Sequence, residues 1–275
     1  MLADKISERF GFDTGVGGDV AAEGALAAVL GRATQRRFRT EPVADGLLKT
    51  LLACAQSAPS KSDLQQYSIV VVRDKELRRA IAELCRAGRQ MDEAPELLVF
   101  CADIRRGQKI AELRRHPHAN NNMDTFLNAV VDAAPAMQAL IHSAESVGLG
   151  CCPISALRNA IEAVSEVLAL PPGVFPIAGL CLGWPAEPAP TSMRLPPSVV
   201  VHWDRYGDDK LADEIDAYDR RRHERQPIAP NKQRNVDLYG AAPFCGWSEN
   251  AARQLSQPER AGFRDFLKGH GFDLA

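Results

Sequence analysis

Four arginines lie within eight residues near the start of the chain, in the stretch GRATQRRFRTEPV: Arg32, Arg36, Arg37 and Arg39. Guanidinium groups pair with phosphate oxygens through two parallel hydrogen bonds and keep their charge at physiological pH. Taken alone, the cluster is typical of a solvated helix end, and a phosphate-binding site is the alternative. A nucleic-acid-binding surface is not expected, because the 275 residues carry a formal net charge of −2 and such binding needs a net or segregated basic surface.

Three loops rich in small residues accompany this cluster. APSKSDLQQYS (58–68) and GLGCCPISALRN (148–159) can bring backbone N–H groups close to a flat ligand, the second by opening a helix. TSMRLPP (191–197) adds an isolated arginine, Arg194, in an otherwise apolar loop. Small-residue loops with arginines at both ends favour a phosphorylated planar cofactor.

Searches for other reaction centres find no supported site. GVGGDV lacks the third glycine and the preceding strand of a dinucleotide-binding turn, and the chain has no Walker A, HExxH or GxSxG motif. His116 and His118 lack a carboxylate or cysteine at metal-ligand spacing and are interpreted as part of a polar loop. Asp63, Asp124 and Asp132 are too scattered to predict an acid–base pair. These searches yield no nucleophile, no metal and no catalytic pair.

The cysteines and the apolar runs bear on the compartment. The seven cysteines are an odd number without a CxxC pair, so we interpret them as reduced thiols in a cytoplasmic protein. Adjacent Cys151 and Cys152 are either a redox pair or small side chains packed beside Gly150. No run reaches the ~18 apolar residues of a membrane span, and the charged N-terminal stretch lacks the apolar centre of an export signal. We expect neither a membrane nor a nucleic-acid partner.

Hydrophobic spacing predicts an α+β fold in which helices dominate, without strict βαβ repeats. A long helix is predicted over 123–148, ending at a glycine and kinked or split by Pro135. Strands are predicted at YSIVVVRD, ELLVFCAD and VFPIAGLCLGWP. Further helices are predicted at AAEGALAAVLGR, EPVADGLLKTLLACAQSAPS, KELRRAIAELCRAG, ALRNAIEAVSEVLAL, residues 208–223 and the C-terminal segment.

Composition divides the chain into three parts. Residues 1–22 are rich in glycine and charge and are expected to form a weakly ordered N-terminal extension. Residues 23–205 form the predicted core. Residues 206–275 form a helical extension that includes a basic loop with three prolines (224–246).

Five motifs, in order, resemble the FMN-dependent nitroreductase family, and more closely its larger, NADPH-preferring branch of oxygen-insensitive nitroreductases and NADPH–flavin oxidoreductases. They are RATQRRFxxEPV, APSKSDLQ, ELLVFCAD, AESVGLG with ALRNAIEAV, and GLCLGWPAE with RLPPSVVVH. The match runs from residue 31 to 203 and resumes at GWSENAARQL and PERAGFRDFLKGHGF. It covers most of the chain. Single pieces such as GLG are weak signals, but the ordered set is specific.

The resemblance implies a nitroreductase-like fold, in which a central mixed or antiparallel sheet is flanked by helices. It also implies an intertwined homodimer that holds two FMN molecules at the subunit interface. NADPH would deliver a hydride to flavin N5 and leave, and a small-molecule acceptor would then take two electrons. Because the flavin carries the electrons, no catalytic side chain is expected. The last part of the chain, 206–275, would complete the active site.

Carried over position by position, the resemblance assigns the FMN contacts to the arginine segment, to three loops and to one glutamine. The expected residues are Arg32, Ala33, Thr34, Arg36, Ser60, Lys61, Ser62, Gln90, Ile154, Ser155, Ala156, Ser192 and Arg194. Arg32, Arg36 and Arg194 are expected at the phosphate, and a backbone N–H of the 154–156 stretch is expected at flavin N5. Arg37 and Arg39 are expected to be solvated or in ordinary ion pairs.

The chain departs from the family pattern at several of these positions. Ala33 replaces a frequent arginine, Ser192 replaces a lysine of close relatives, and Ser155 lies where glycines are common. Asp63 occupies a position that is asparagine or aromatic in relatives. The family's substrate preference therefore does not carry over.

Further contacts are implied for the nicotinamide cofactor and the substrate. Arg222, Arg225 and Arg234 in or beside the basic loop are expected to hold the 2′-phosphate of NADPH, with a solvated loop as the alternative. Asp63 and Arg260 are expected beside the substrate.

The sequence thus predicts an FMN-dependent NADPH oxidoreductase of nitroaromatics, quinones or free flavin. Three alternatives remain open. The first is a flavoenzyme of the same fold with a dedicated substrate, of the dehydrogenase or reductive dehalogenase type. The others are a flavin-binding sensor or store without turnover, and a non-enzymatic protein whose basic loop contacts a partner.

Overall fold

The structure, a computed structural model, describes residues 2–18, 24–86 and 88–275. The strands are β1 (Tyr67–Val72), β2 (Glu96–Asp103), β3 (Gly150–Ile154) and β4 (Val174–Gly183). The α-helices are α1 (Leu2–Phe10), α2 (Gly24–Gly31), α3 (Asp45–Gln56), α4 (Lys75–Cys85), α5 (Gln90–Glu93), α6 (Arg105–Arg114), α7 (Met123–Ser146), α8 (Ile161–Val167), α9 (Pro197–Val200), α10 (Leu211–Arg225), α11 (Val236–Tyr239), α12 (Trp247–Leu255) and α13 (Phe263–Gly269). Short 3₁₀ helices lie at Lys61–Asp63, Ala156–Ala160 and Pro230–Lys232.

The chain forms two compact units. The sheet unit combines Arg32–Pro190 with Arg260–Ala275, and the helical unit combines Met1–Gly31 with Thr191–Glu259. The sheet unit therefore holds every strand of the described residues together with the C-terminal segment. The division of the chain into 1–22, 23–205 and 206–275 stays a prediction.

An antiparallel sheet with the strand order β1-β2-β4-β3 forms the centre of the sheet unit. Successive side chains of a strand point to opposite faces. Leu97 and Val99 of the central strand β2 belong to the core that includes residues of α4 and α8, and Leu98 and Phe100 belong to the core that includes residues of α3 and α7. The predicted α+β class and the helix-flanked antiparallel sheet are confirmed.

Helix α7 is the long helix that the apolar spacing predicts. The side chain of Asn122 caps its first turn by accepting the N–H of Thr125, and Gly148, with a φ of +86°, follows its last turn. Its buried face consists largely of alanines, which let it approach α3 closely. Of the two effects expected of Pro135, the split is wrong, because the helix continues through that residue, and the kink stays a prediction. Proline removes a single intrahelical donor, and the packing of the buried face of α7 keeps the remaining turns helical.

The strand β3 and the helix α6 are among the elements that the sequence prediction lacks. GCCPI forms strand β3, where a loop that opens a helix was expected, because its pairing with β4 is a long-range contact that the small side chains do not signal. Pro153 is tolerated there because β3 is an edge strand of the sheet. RRGQKIAELR forms α6, whose apolar residues Ile110 and Leu113 stay exposed.

The N-terminal segment is more ordered than predicted. Residues 2–10 form α1, an amphipathic helix that buries Leu2, Ile6 and Arg9 within the helical unit. Arg9 donates to the Leu30 carbonyl from Nε and Nη2, at 3.2 and 2.7 Å. The expectation of a weakly ordered extension is wrong for α1, whose apolar residues recur at helical spacing. Residue 1 and residues 19–22 of that expectation lie outside the described residues.

Two further findings concern membrane-spanning helices and thiols. Within the described parts of the chain, no helix has both the length and the apolar character required to cross a bilayer. All seven cysteines are free thiols. Cys151 and Cys152 are buried in β3, and burial raises the pKa of both. The packing interpretation therefore applies to this pair.

Candidate functional site

The arginine-bearing segment 32–37 is fastened to strand β3 by one glutamine. Gln35 is buried, and its N–H donates to the carbonyl of Cys151 at 2.9 Å. Its side chain donates to the Glu187 carbonyl at 2.7 Å. The Gln35 Oε1 accepts the N–H groups of Arg36 and Arg37 at 2.8 and 2.9 Å. The segment thus has a defined course without being a helix or a strand.

The guanidinium groups of this segment gather beside β3. Arg32 forms an ion pair with Glu145 near the end of α7, with Nε and Oε1 3.3 Å apart. Burial raises the pKa of the Cys152 thiol, and the charges of Arg36 and Arg32 partly oppose that rise. Both arginines therefore lie near Cys152, in the middle of β3.

The other two arginines of the cluster behave as expected. Arg37 forms an ion pair with Glu93 at 3.4 Å, and the side chain of Arg39 is exposed. Arg36 is also exposed, and within residues 2–18, 24–86 and 88–275 it has no acidic partner in ion-pair range. Arg39 likewise has no ion pair among those residues, but Arg36 in addition lies near Cys152, which places it to meet an anion beside β3.

The loop 60–66 is organised by a buried carboxylate. Asp132 of α7 is 2% exposed. It accepts hydrogen bonds from Ser60 Oγ at 2.8 Å, from Lys61 N–H at 3.0 Å and from Gln66 N–H at 2.9 Å. Between these anchors the backbone turns through left-handed conformations. Their φ values are 52° at Ser62, 58° at Asp63 and 50° at Gln65.

Asp63 lines a cavity in the sheet unit. The cavity has a volume of about 600 Å³, and its lining includes Asp63, Leu64, Tyr67, Ser68 and Arg106. The Asp63 carboxylate accepts a hydrogen bond from its neighbour Gln65 Nε2 at 3.0 Å, and its side chain is exposed. An acidic group and a guanidinium group thus border one partly apolar cavity.

The 154–156 stretch lies at the opposite end of β3 from the arginine segment. The strand runs from Gly150, which touches Gln35, to Ile154, a span of about 13 Å at ~3.3 Å per residue. Ser155 is exposed and precedes the 3₁₀ helix Ala156–Ala160. The first N–H groups of any helix lack an intrahelical acceptor. The strand thus separates the arginine segment from an end with backbone donors.

The C-terminal segment brings Arg260 to this second end. Its Nε donates to Asn159 Oδ1 at 2.8 Å, and its backbone has a φ of +56°. Arg158 lies nearby, since burial lowers its pKa and the charge of Arg260 lowers it further.

Gln90 opens α5 and is half-buried. Its side chain folds over Gly88, where a Cβ would lie 2.6 Å from Gln90 Oε1.

The remaining predicted residues belong to the helical unit. Arg9 links Ser192 and Arg194. Its Nη1 donates to the Ser192 carbonyl at 2.7 Å, and its backbone carbonyl accepts the Arg194 N–H at 2.9 Å. Arg194 and Arg222 line one largely apolar cavity of about 440 Å³.

The three arginines proposed for NADPH differ in their partners. Arg222 Nη1 donates to the Tyr218 hydroxyl at 2.9 Å. Arg225 Nη1 donates to the Glu8 carbonyl at 3.0 Å. The side chain of Arg234 is exposed, and its N–H donates to Asn250 Oδ1 at 2.7 Å.

Sequence reasoning missed three organising residues. Gln35 holds the arginine segment, Asp132 holds the 60–66 loop and Arg9 holds the 192–194 stretch. One signal was available for Asp132: it is the single ionisable residue on the otherwise apolar or small buried face of α7, beside Ala129, Ala133 and Ala136. No comparable pattern marks Gln35 or Arg9.

Comparisons with known proteins match nearly the whole chain. The family described as "Nitroreductase family" matches residues 29–184, and its C-terminal domain matches residues 192–275. An FMN reductase (NAD(P)H) of Bacillus subtilis is 35% identical over 87% of this chain and 94% of its own length. An oxygen-insensitive NADPH nitroreductase of Salmonella typhimurium is 35% identical over 88% of this chain and 95% of its own.

Solved structures resemble the chain over a similar extent. NfrA2 of B. megaterium has a TM-score of 0.82 and 31% identity, over 91% of this chain and 98% of that one. The NADPH:FMN oxidoreductase of Vibrio harveyi, solved with NAD+, has a TM-score of 0.78 and 29% identity, over 90% of this chain and 97% of that one. Both the sequence and the fold comparisons therefore extend over about nine-tenths of the chain.

Proposed function

The chain belongs to the nitroreductase family, and on that premise we propose that it is an FMN-dependent NADPH oxidoreductase. FMN, when bound, would accept a hydride from NADPH and pass two electrons to a nitroaromatic, a quinone or free flavin. Relatives with 35% identity are named for FMN reduction with NAD(P)H and for NADPH-dependent nitroreduction. The protein's share of the work is binding, orientation and exclusion of water.

The observation that carries the proposal is the arrangement of donor groups along β3. The arginine segment is held against the first part of the strand through Gln35, with Arg32 and Arg36 near Cys152, and the exposed Ser155 follows its other end. Guanidinium groups suit a phosphate, and backbone N–H groups suit the acceptor edge of a flat ring. The donor set along the strand therefore fits a molecule with a phosphate tail and a polar ring, as FMN has.

The remaining ring contacts would come from neighbouring loops. Ser60, Lys61 and Ser62 would face the polar edge of the ring, and Gln90 would add an amide. Ala33 and Thr34 would lie beside the sugar chain. Ile154 and Ala156 would flank the backbone donor at Ser155.

In the helical unit, Ser192 and Arg194 would supply the second set of phosphate contacts. Arg222, Arg225 and Arg234 would hold the 2′-phosphate of NADPH. Arg222 lines the 440 Å³ cavity together with Arg194. Arg260 would lie on the substrate side of the site.

We propose further that the protein is a cytoplasmic homodimer. Helix α7 supports this part of the proposal, because Leu127 and Val131, one turn apart, are 53% and 52% exposed. Large apolar side chains aligned on one helix face mark an interaction surface. FMN would then lie between two copies of the chain.

A dedicated substrate is the second candidate. Asp63 supports it, because this acidic residue borders the 600 Å³ cavity together with Arg106. Arg106 is paired with Asp103 at 3.2 Å, so the Asp63 carboxylate would decide the charge preference by repelling anionic acceptors and favouring cationic or neutral ones. The same flavin chemistry would then serve one narrow class of substrate.

Purified protein tests the proposal. We expect a yellow preparation with FMN in equal molar amount to the chain, and FMN-dependent oxidation of NADPH when quinone, nitroaromatic or free flavin is supplied. A preparation that stays colourless after incubation with FMN would overturn it. FMN-loaded protein that never oxidises NADPH would leave a flavin store. A strong preference for cationic acceptors, lost in Asp63→Asn, would favour the second candidate.

A further inference from the structure

The loop 60–66 depends on a residue that makes no predicted contact with any ligand. Asp132 lies on the buried face of α7, whose neighbouring members Ala129, Ala133 and Ala136 are small and apolar. Burying a carboxylate is costly unless hydrogen bonds compensate it. A residue retained in such a position must therefore be satisfied by specific donors.

The hydrogen-bond donors that the structure gives Asp132 all come from this loop. Its Oδ2 accepts Ser60 Oγ at 2.8 Å and Gln66 N–H at 2.9 Å, and its Oδ1 accepts Lys61 N–H at 3.0 Å. Ser60 Oγ in turn accepts the Gln65 N–H at 2.7 Å. The carboxylate thus holds both ends of the loop and, through Ser60, a position inside it.

The chain between these anchors adopts a conformation that it would not keep unaided. Ser62, Asp63 and Gln65 have positive φ values, which non-glycine residues adopt only when the surroundings impose them. The hydrogen bonds to Asp132 supply that constraint. Without them the loop would relax toward ordinary backbone angles, and the Ser60 and Ser62 side chains would change direction.

We propose that Asp132 is the positioning residue of the flavin-ring loop: it acts through Ser60, Lys61 and Gln66 to fix the edge that meets the polar side of the ring. This inference rests on the proposed function, since it takes the loop to be a flavin contact. Asp132 touches neither the cofactor nor the substrate. Its effect is on affinity for the ring and not on affinity for the phosphate.

Asp132→Asn tests the proposal with little change of shape. An asparagine keeps one accepting oxygen, but its NH₂ group opposes at least one of the three donors. We expect dissociation constants for FMN and for riboflavin to rise by the same factor, about tenfold, as loss of one such hydrogen bond to a charged group implies. Arg36→Ala is the contrasting variant, because it should weaken FMN binding and spare riboflavin.

Asp124→Asn is the matched control. Asp124 lies two turns earlier on α7, its side chain is 69% exposed, and it is 3.8 Å from Lys61 Nζ. We expect this variant to bind both flavins as the wild type does. A tenfold loss in both variants would show that any charge removed from α7 has the effect, and it would overturn the specific role of Asp132.

Amide hydrogen exchange separates positioning from a general stabilising role. In Asp132→Asn the Lys61 and Gln66 amides should exchange faster, while those of Val99 and Phe100 in β2 stay protected. Equal acceleration in the loop and in β2, or flavin affinity unchanged in the folded variant, would overturn the proposal. Wild-type protein that binds no FMN would instead refute the proposed function.

Ser60→Ala replaces Asp132→Asn if the latter does not fold. It removes one donor to the carboxylate and the acceptor of the Gln65 N–H. The expected result is faster exchange at Lys61, Gln65 and Gln66 together with weaker flavin binding. Weaker binding with unchanged exchange would mean that Ser60 acts only by direct contact, which contradicts the proposal.

Discussion

Gln35 and Gly150 lie so close together that no side chain fits at residue 150. A Cβ there would lie 2.6 Å from both Cβ and Cγ of Gln35, well inside van der Waals contact. The neighbouring hydrogen bond, from Gln35 N–H to the Cys151 carbonyl at 2.9 Å, holds the arginine segment against β3. The position of Arg32 and Arg36 therefore depends on a glycine in the adjacent strand.

Gly150→Ala should displace this segment. We expect a loss of about 1–3 kcal/mol in the free energy of unfolding from overpacking, together with weaker FMN binding. Denaturant titration and flavin fluorescence measure the two effects. Gly46→Ala is the control, because nothing lies within 4 Å of its added methyl group, and an alanine within helix α3 should be neutral or slightly stabilising. Wild-type FMN affinity in Gly150→Ala would contradict the dependence described above.

Arg36→Ala should weaken FMN retention by ~1–3 kcal/mol, through loss of a charge-assisted contact to the phosphate. The dissociation constant of FMN, measured with the apoprotein by fluorescence quenching, checks this. Arg39→Ala serves as the matched control, since Arg39 is an exposed arginine of the same segment to which no ligand contact is assigned. Equal FMN affinity in the two variants would remove Arg36 from the site.

Val131→Arg should prevent dimer formation, because a charge placed on the exposed apolar face of α7 would have to be buried without a partner. We expect sedimentation velocity to give the monomer mass and the FMN content to fall. Leu113→Arg is the control, since Leu113 on α6 is 78% exposed and is assigned to no interface. A Val131→Arg dimer that retains FMN would exclude α7 from the interface.

The buried thiols should make stability decline in alkali. Burial raises the pKa of Cys85 from 9.0 to about 11. The protonated thiol is therefore favoured in the folded state, and its contribution is complete below about pH 9 and lost as the pH rises toward 11. We expect this residue to account for about 1–2 kcal/mol of the decline.

Urea unfolding of the wild type and of Cys85→Ala, each at about pH 9 and about pH 11, measures this contribution of Cys85. The variant should start less stable but lose less between the two pH values, since the other titrating groups are common to both proteins. An identical decline in the two proteins would contradict the prediction.

In native protein at neutral pH, iodoacetamide should label the half-buried Cys54 before Cys85.

Much of the fold could be predicted because local patterns and tertiary packing agree. The β-branched run of β1, the apolar run of β2 and the helical spacing of α7 each indicate the element that forms. β3 could not be predicted in this way, since GCCPI becomes a strand only by pairing with β4. The helix α1 was missed because glycines and charges around it outweighed the spacing of Leu2 and Ile6.

The candidate site, like the fold, could be predicted only in part. The arginine cluster and the small-residue loops indicate a phosphorylated planar ligand from residue type alone. The residues that hold those loops could not be predicted, because the sequence does not indicate which distant residue a glutamine or an aspartate will contact. Asp132 is 72 residues from Ser60 along the chain, and only the packing of α7 brings the two together.

Anaerobic stopped-flow of the FMN-loaded protein tests the central claim most directly. On mixing with NADPH in excess, the visible flavin band should bleach at a rate that saturates with NADPH concentration. In a second experiment, in which NADPH equimolar with the flavin bleaches the band, quinone equimolar with the flavin should then restore it in full. A band that persists in the presence of excess NADPH, although FMN is bound, would contradict the claim that this chain transfers hydride from NADPH through FMN.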